Sequence, residues 1–233
     1  MRHALFLAGT GTDVGKTYVA GLILKKLRES GLSAGYYKAA MSGNRRREDG
    51  TVIPGDAVEV REISGVDQPL SEMCPYVYEH AVSPHLAARL EDNPVELGRV
   101  LEGFRAVCRN YNYVTMEGSG GILCPLRLDG ETLLLPQVIQ ACSLGCLLVA
   151  DAELGSINRV ALTAFYLEKQ GIPLKGILFN RFLPGDPMQE DNVRVCRQLT
   201  GAKVIACVRP GDTNLDLPLD DLLALYDPQE EIL

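Results

Sequence analysis

Positive charge is the first thing in short supply. The 233 residues carry 23 Lys and Arg against 30 Asp and Glu, a formal net charge of -7, whereas a general nucleic-acid binder needs clustered positive charge to meet the phosphate backbone. The one basic run, Arg45-Arg46-Arg47, is followed at once by Glu48 and Asp49 and reads as a solvated loop. A cysteine framework is missing too. The seven cysteines are odd in number and show no tight set of spacings, which argues for reduced thiols and a cytoplasmic address. Cys142 and Cys146 lack the paired cysteines or histidines of a zinc site, and His80 and His85 have no third ligand in view. No run reaches the roughly 18 apolar residues of a membrane helix, and the N-terminus lacks the charged-then-apolar pattern of an export signal. The expectation is a soluble protein that acts on neither nucleic acid nor membrane.

What the chain does have is core material and a phosphate loop. At 46% hydrophobic it can bury a full core, and with no linker, repeat or low-complexity stretch a single domain over residues 1–233 is expected. The apolar run from Ala4 to Ala8 leads into Gly9-Thr10-Gly11-Thr12-Asp13-Val14-Gly15-Lys16-Thr17, and Tyr18 to Leu27 follows with apolar residues at helical spacing. This is a strand, a glycine-rich turn and a helix N-terminus, the order that aims backbone N–H groups at a nucleotide's phosphates. Lys16 adds a full charge at the outer phosphates and the Thr17 hydroxyl a ligand for Mg²⁺. Five residues separate Gly9 from Gly15 where the usual loop has four, so the motif is a variant.

Beyond it the text alternates between strand and helix. Ser33 to Met41 reads as a strand from whose end Lys38 emerges, Gly43 to Gly55 as a loop, and Asp56 to Ile63 as a helix with Asp56 placed like its N-cap. Helical patterns cover Leu86 to Leu90 and Val95 to Cys108. Tyr113 to Glu117 is a strand ending in a carboxylate beside Gly118-Ser119-Gly120-Gly121. Cys146 to Ala150, Gly176 to Phe179 and Val204 to Val208 read as strands, Ser156 to Lys169 and Val193 to Leu199 as helices. Such alternation predicts an α/β fold of the P-loop NTPase kind, a mostly parallel sheet with helices on both faces. The acidic stretch Asp227 to Glu231 is assigned no chemistry.

Ligands of open parallel sheets sit at the strands' carboxyl ends, where Lys16, Thr17, Lys38, Asp56 and Glu117 would converge. Singly, each has a plain alternative: a surface lysine, a helix cap, a turn acid. Together, two carboxylates and a hydroxyl suit a Mg²⁺ ion that keeps several waters and grips phosphates, and two lysines suit a transferring phosphoryl group.

The ordered set of Thr10 to Lys16, Tyr37-Lys38 with Ser42-Gly43, Asp56, Ser83-Pro84-His85, Glu117-Gly118 with Gly120-Gly121, Leu154-Gly155 with Ile157-Asn158, and Asn180 resembles the dethiobiotin synthetases over nearly the whole chain. The resemblance implies an enzyme of biotin synthesis that joins CO₂ to 7,8-diaminononanoate with ATP and Mg²⁺, through a carbamate that attacks the γ-phosphate. It implies ATP contacts from Asp13, Val14, Gly15, Lys16, Thr17, Tyr18, Asp56, Glu117, Gly118, Ser119 and Gly120, and around the base from Asn180, Arg181, Val208, Arg209 and Pro210. It further implies Mg²⁺ on Thr17, Asp56 and Glu117, catalysis by Lys16 and Lys38, and carbamate contacts from Thr12, Ser42 and Gly118. Gly155, Ser156, Ile157 and Asn158 would receive the substrate's carboxylate tail from a neighbouring subunit, and hence a homodimer is implied. Ala39 and Arg181 depart from the family pattern. Two other readings share the loop, an amide ligase of the cobyrinate diamide type and a partition or division-site ATPase. The first needs a glutaminase half for which no room remains, and the second a lysine where Thr10 stands.

Overall fold

The computed structural model describes residues 2–229. In chain order its elements are β1 (His3–Gly9), α1 (Lys16–Glu29), β2 (Ala34–Lys38), β3 (Arg45–Arg46), β4 (Val52–Ile53), α2 (Gly55–Ser64), α3 (Leu70–Met73), α4 (Pro84–Leu90), α5 (Leu97–Asn110) and β5 (Tyr113–Glu117). There follow β6 (Pro125–Arg127), β7 (Leu133–Leu134), α6 (Leu135–Ala141), β8 (Cys146–Asp151), α7 (Ser156–Lys169), β9 (Leu174–Asn180), α8 (Pro187–Thr200), β10 (Val204–Val208), α9 (Leu219–Leu223) and β11 (Asp227–Pro228).

Six strands run parallel in the order β10-β9-β8-β1-β5-β2, and β11 pairs antiparallel with the start of β1. Burial on both faces explains why the strands read as unbroken apolar runs. Along β1 the alternation divides two cores: Leu5 and Leu7 pack with Val19, Ile23 and Val60 of α1 and α2, whereas Phe6 and Ala8 pack with residues of α5, α6 and α7, including Phe104, Ile139 and Val160. The expected parallel sheet with helices on both faces is therefore present. Among the described residues, no helix is long and apolar enough to cross a membrane.

Several local expectations change. The loop read between Gly43 and Gly55 contains the β3–β4 hairpin, pinned where Arg46 meets Glu79 at 2.8 Å. Asp56 is not the cap of α2. Pro54 holds the N-cap position, the Gly55 N–H is satisfied by the Asn44 side chain at 2.8 Å, and Asp56 in the first turn is left free to face Lys38. The helix read from Val193 begins at Pro187, because Asp186 caps it by accepting from the Gln189 N–H and proline suits its first turn. Asp227, read as the start of a tail without chemistry, has a structural role: it ties β11 to the sheet by an ion pair with Lys175 at 2.5 Å and a bond from the Gly145 N–H. Glu230 and Glu231 lie outside the described residues.

Candidate active site

At the carboxyl end of β1 the chain turns through Asp13 (φ 59°) and Gly15 (φ 86°) into α1. Gly15 is needed twice over, for its left-handed backbone and because a Cβ there would collide with Asn180. A Cβ on Gly9 would strike the Lys16 side chain, which folds back over the loop so that Nζ donates to the Gly11 carbonyl at 2.9 Å. Thus the loop curls round its own lysine, with the first amides of α1 open to an anion.

Parallel register sets the rest of the centre. Lys38 and Glu117 are direct partners across β2 and β5, and Leu7 is the partner of Glu117 across β5 and β1, so the lysine and the acid lie side by side next to the phosphate loop. Lys38 Nζ lies 2.5 Å from Glu117 Oε1 and 2.6 Å from Asp56 Oδ2, and the Thr17 hydroxyl donates to the same Glu117 oxygen at 3.0 Å. Burial works against charge on Lys38, but Glu117 and then Asp56 outweigh it and hold its pKa above the usual lysine value. Lys16 goes the other way: burial lowers its pKa, Glu117 opposes, and the like charge of Lys38 adds to the lowering.

Thr17, Asp56 and Glu117 bring only oxygen donors to the same cleft, the chemistry of a hard dication. Among the described residues no cluster of three or more His, Cys, Asp or Glu side chains could hold a metal. Two carboxylates and a hydroxyl are a set that Mg²⁺ takes, its shell completed with water and phosphate. The donor set fits the ion.

These groups line a cleft of about 710 Å³, together with Thr12, Asp13, Gly15, Tyr18, Ser42, Ser119 and Gly120. Gly118 lies behind it, where a Cβ would crowd the Phe6 ring at 3.0 Å. The residues expected at the base gather on the flank next to the phosphate loop. Asn180 is buried and donates to the Val14 carbonyl at 3.1 Å, Val208 is its register partner on β10, and Arg181 takes a left-handed φ of 57°. Arg209 and Pro210 start an exposed turn that the Tyr18 hydroxyl reaches by bonding the Asp212 carbonyl. Val14 is buried beneath the loop. Gly155, Ser156, Ile157 and Asn158 start α7 and do not line the cleft.

Three residues that sequence reasoning missed bear on the centre. The Tyr36 hydroxyl donates to Glu117 Oε2 at 2.8 Å, and its signal was present, since strand alternation puts position 36 on the face of Lys38. Glu59 lines the cleft one helical turn after Asp56, and burial, then Asp56 and Glu117, raise its pKa. Cys124 also lines the cleft, its thiol pushed up by burial against the pull of Lys16 and Lys38. Nothing in its spacing announced it.

Comparison with known proteins accords with this geometry. A family described as an AAA domain matches residues 3–215. The chain is similar to the ATP-dependent dethiobiotin synthetase BioD of Clostridium botulinum (strain Loch Maree / Type A3), 37% identical over 97% of this chain and 99% of that one. It is 42% identical to the enzyme of that name from Clostridium novyi (strain NT), over 89% and 87%, and 39% identical to that of Brachyspira hyodysenteriae (strain ATCC 49526 / WA1), over 93% and 96%. Among solved structures it resembles a ParA family ATPase from Chlorobium tepidum TLS, with a TM-score of 0.54, 14% identity and coverage of 89% of this chain and 84% of that one. The MinC:MinD complex of Aquifex aeolicus gives a TM-score of 0.54 at 13% identity, over 95% and 85%. Identity so low speaks for the fold alone, whereas the three bacterial enzymes are 37–42% identical over 89% or more of this chain, and on that ground the chain belongs to the ATP-dependent dethiobiotin synthetase family.

Proposed function

We propose that this chain is an ATP-dependent dethiobiotin synthetase, a cyclo-ligase that converts 7,8-diaminononanoate, CO₂ (from bicarbonate) and ATP into dethiobiotin, ADP and phosphate. The observation that carries the reading is the meeting of Lys38, Asp56, Glu117 and Thr17 within hydrogen-bond distance beside a phosphate loop.

One substrate amine takes up CO₂ as a carbamate, a carbamate oxygen attacks the γ-phosphorus, and ADP departs. The second amine then attacks the carbonyl carbon, phosphate leaves, and the cyclic urea closes without a protein nucleophile. The protein's task is to position the reactants and to meet charge. Asp13, Val14, Gly15 and Thr17 hold the triphosphate with backbone N–H groups, and Lys16 and Lys38 neutralise the equatorial oxygens of the transferring phosphoryl group. Thr17, Asp56 and Glu117 would hold Mg²⁺, whose charge would offset that of the phosphates. Thr12 and Ser42 face the carbamate end, with Ser119 and Gly120 beside them and Gly118 supporting the wall from behind. Asn180, Arg181, Val208, Arg209 and Pro210, with Tyr18, form the base side.

In this reading the chain is a single domain working in the cytoplasm as a homodimer. Gly155 to Asn158 of each subunit complete the neighbour's site, which accounts for their distance from their own cleft. The test is ADP release with each component omitted in turn. Turnover is expected to need ATP, Mg²⁺, bicarbonate and the diamine, with dethiobiotin as product, and a rate indifferent to the diamine overturns the proposal.

A further inference from the structure

Glu117 is held from behind. Its carboxylate is 1% exposed, and Oε1 receives both Lys38 and Thr17, the two groups that the reaction calls toward phosphate and metal. Among the described residues the other oxygen, Oε2, receives only the Tyr36 hydroxyl, at 2.8 Å. Tyr36 is wholly buried and does not line the cleft, so its bond can persist when the cleft fills. The tyrosine is itself clamped. Strand β2 is an edge of the sheet, and where a further strand would pair, the buried side chain of Gln68 does so instead: its oxygen accepts from the Tyr36 N–H at 2.7 Å and its nitrogen donates to the Tyr36 carbonyl at 3.0 Å. An amide side chain matches both groups of one residue, which is what an edge needs.

We propose that Tyr36, fixed by Gln68, is a positioning residue of the phosphoryl-transfer centre, holding Glu117 Oε2 so that Oε1 stays turned to Thr17 and the metal. This rests on the reading of Glu117 as a Mg²⁺ ligand. Without the phenol, one oxygen of a buried carboxylate loses its donor, and the group gains by rotating toward whichever cation remains.

The experiment is a Mn²⁺ titration of the ADP-bound protein, read by loss of the free-ion electron paramagnetic resonance signal. Tyr36→Phe, which keeps the ring and its packing, is expected to weaken Mn²⁺ binding about tenfold to hundredfold, the range found for partners that orient metal ligands. ADP binding in chelator should stay within about twofold, showing the loop intact. Gln68→Met, which loosens the clamp without touching the carboxylate, should weaken the metal in the same direction by less. In a Glu117→Gln background, Tyr36→Phe should add nothing. Unchanged Mn²⁺ affinity in Tyr36→Phe, or an equal loss with and without Glu117, overturns the inference while leaving the Glu117 reading standing. If Glu117→Gln itself leaves Mn²⁺ binding unchanged, that reading fails, and the inference with it.

Discussion

At the scale of the residue, Lys38 decides most. An exposed pair such as Arg194 with Asp191, whose side chains are 65% and 54% exposed, is worth well under about 1 kcal/mol. Lys38 is different, because both it and Glu117 are buried and two carboxylates share its ammonium. Removing it leaves a buried acid facing a second acid. Lys38→Ala should therefore cost stability at the upper end for single substitutions, about 3 kcal/mol in a urea melt without ligands. Mg²⁺ with ADP should restore part of that, since the divalent charge takes over the ammonium's role between the carboxylates. In catalysis the same substitution should lower kcat by a hundredfold or more, with the KM for ATP changing by less than about fivefold, because the charge matters most as the phosphoryl group transfers. Severe loss of ATP affinity at unchanged turnover would refute the role.

At the scale of the element, the site depends on how closely α2 packs on α1. A Cβ at Gly21 of α1 would lie 2.8 Å from both Cβ and Cγ2 of Ile63 on α2. Alanine is the better helix former by about 1 kcal/mol, but overpacking typically costs about 1–3 kcal/mol. The clash here is with the branch point of Ile63 and not with a flexible end, so overpacking should win. Gly21→Ala is expected to lower the urea midpoint and, since α2 carries Asp56 two turns away, to weaken Mn²⁺ binding as well; a stabilised variant would show that α2 can yield. Elements were legible where periodicity was long: α7 and β10 have the limits read from the sequence, and β5 ends at Glu117 as expected. Strands of two residues, in β3, β4, β7 and β11, carry no period to read. Helix α6 was missed because its apolar Leu133 to Leu135 run with Pro136 reads neither as helix nor strand, and α8 was shortened because its first turn is signalled by Asp186-Pro187 and not by apolar spacing. At the site, the meeting of Lys38 and Glu117 was legible because both end strands, and Tyr36 could have been added from its alternation with Lys38, whereas Cys124 comes to the cleft only through loop closure.

At the scale of the whole molecule, the thiols link the cores to pH. Burial pushes Cys74, Cys108 and Cys142 up to about 12 from the model-compound value of 9.0. Each folded pKa is raised, so the stability these thiols lend is fully present below about pH 9 and is lost as pH climbs toward 12. Urea midpoints should be level from pH 7 to 9 and fall beyond it, and a flat profile to pH 11 would contradict the burial. Assembly gives the sharper test. Leu154, 83% exposed, stands just before α7, and Leu162 and Phe165 follow on the helix at 60% and 51%, an apolar stripe continuous with Gly155 to Asn158. If that stripe is where two subunits meet, Phe165→Glu puts a charge into each copy of a self-complementary contact and should give a monomer by analytical ultracentrifugation. The phosphate loop lies elsewhere, so ADP binding should be kept, while the KM for the diamine should rise by about tenfold or more as its carboxylate loses the neighbouring helix start. A monomer with normal diamine KM would mean that each cleft is complete by itself, and a dimer that survives the substitution would move the contact to another face.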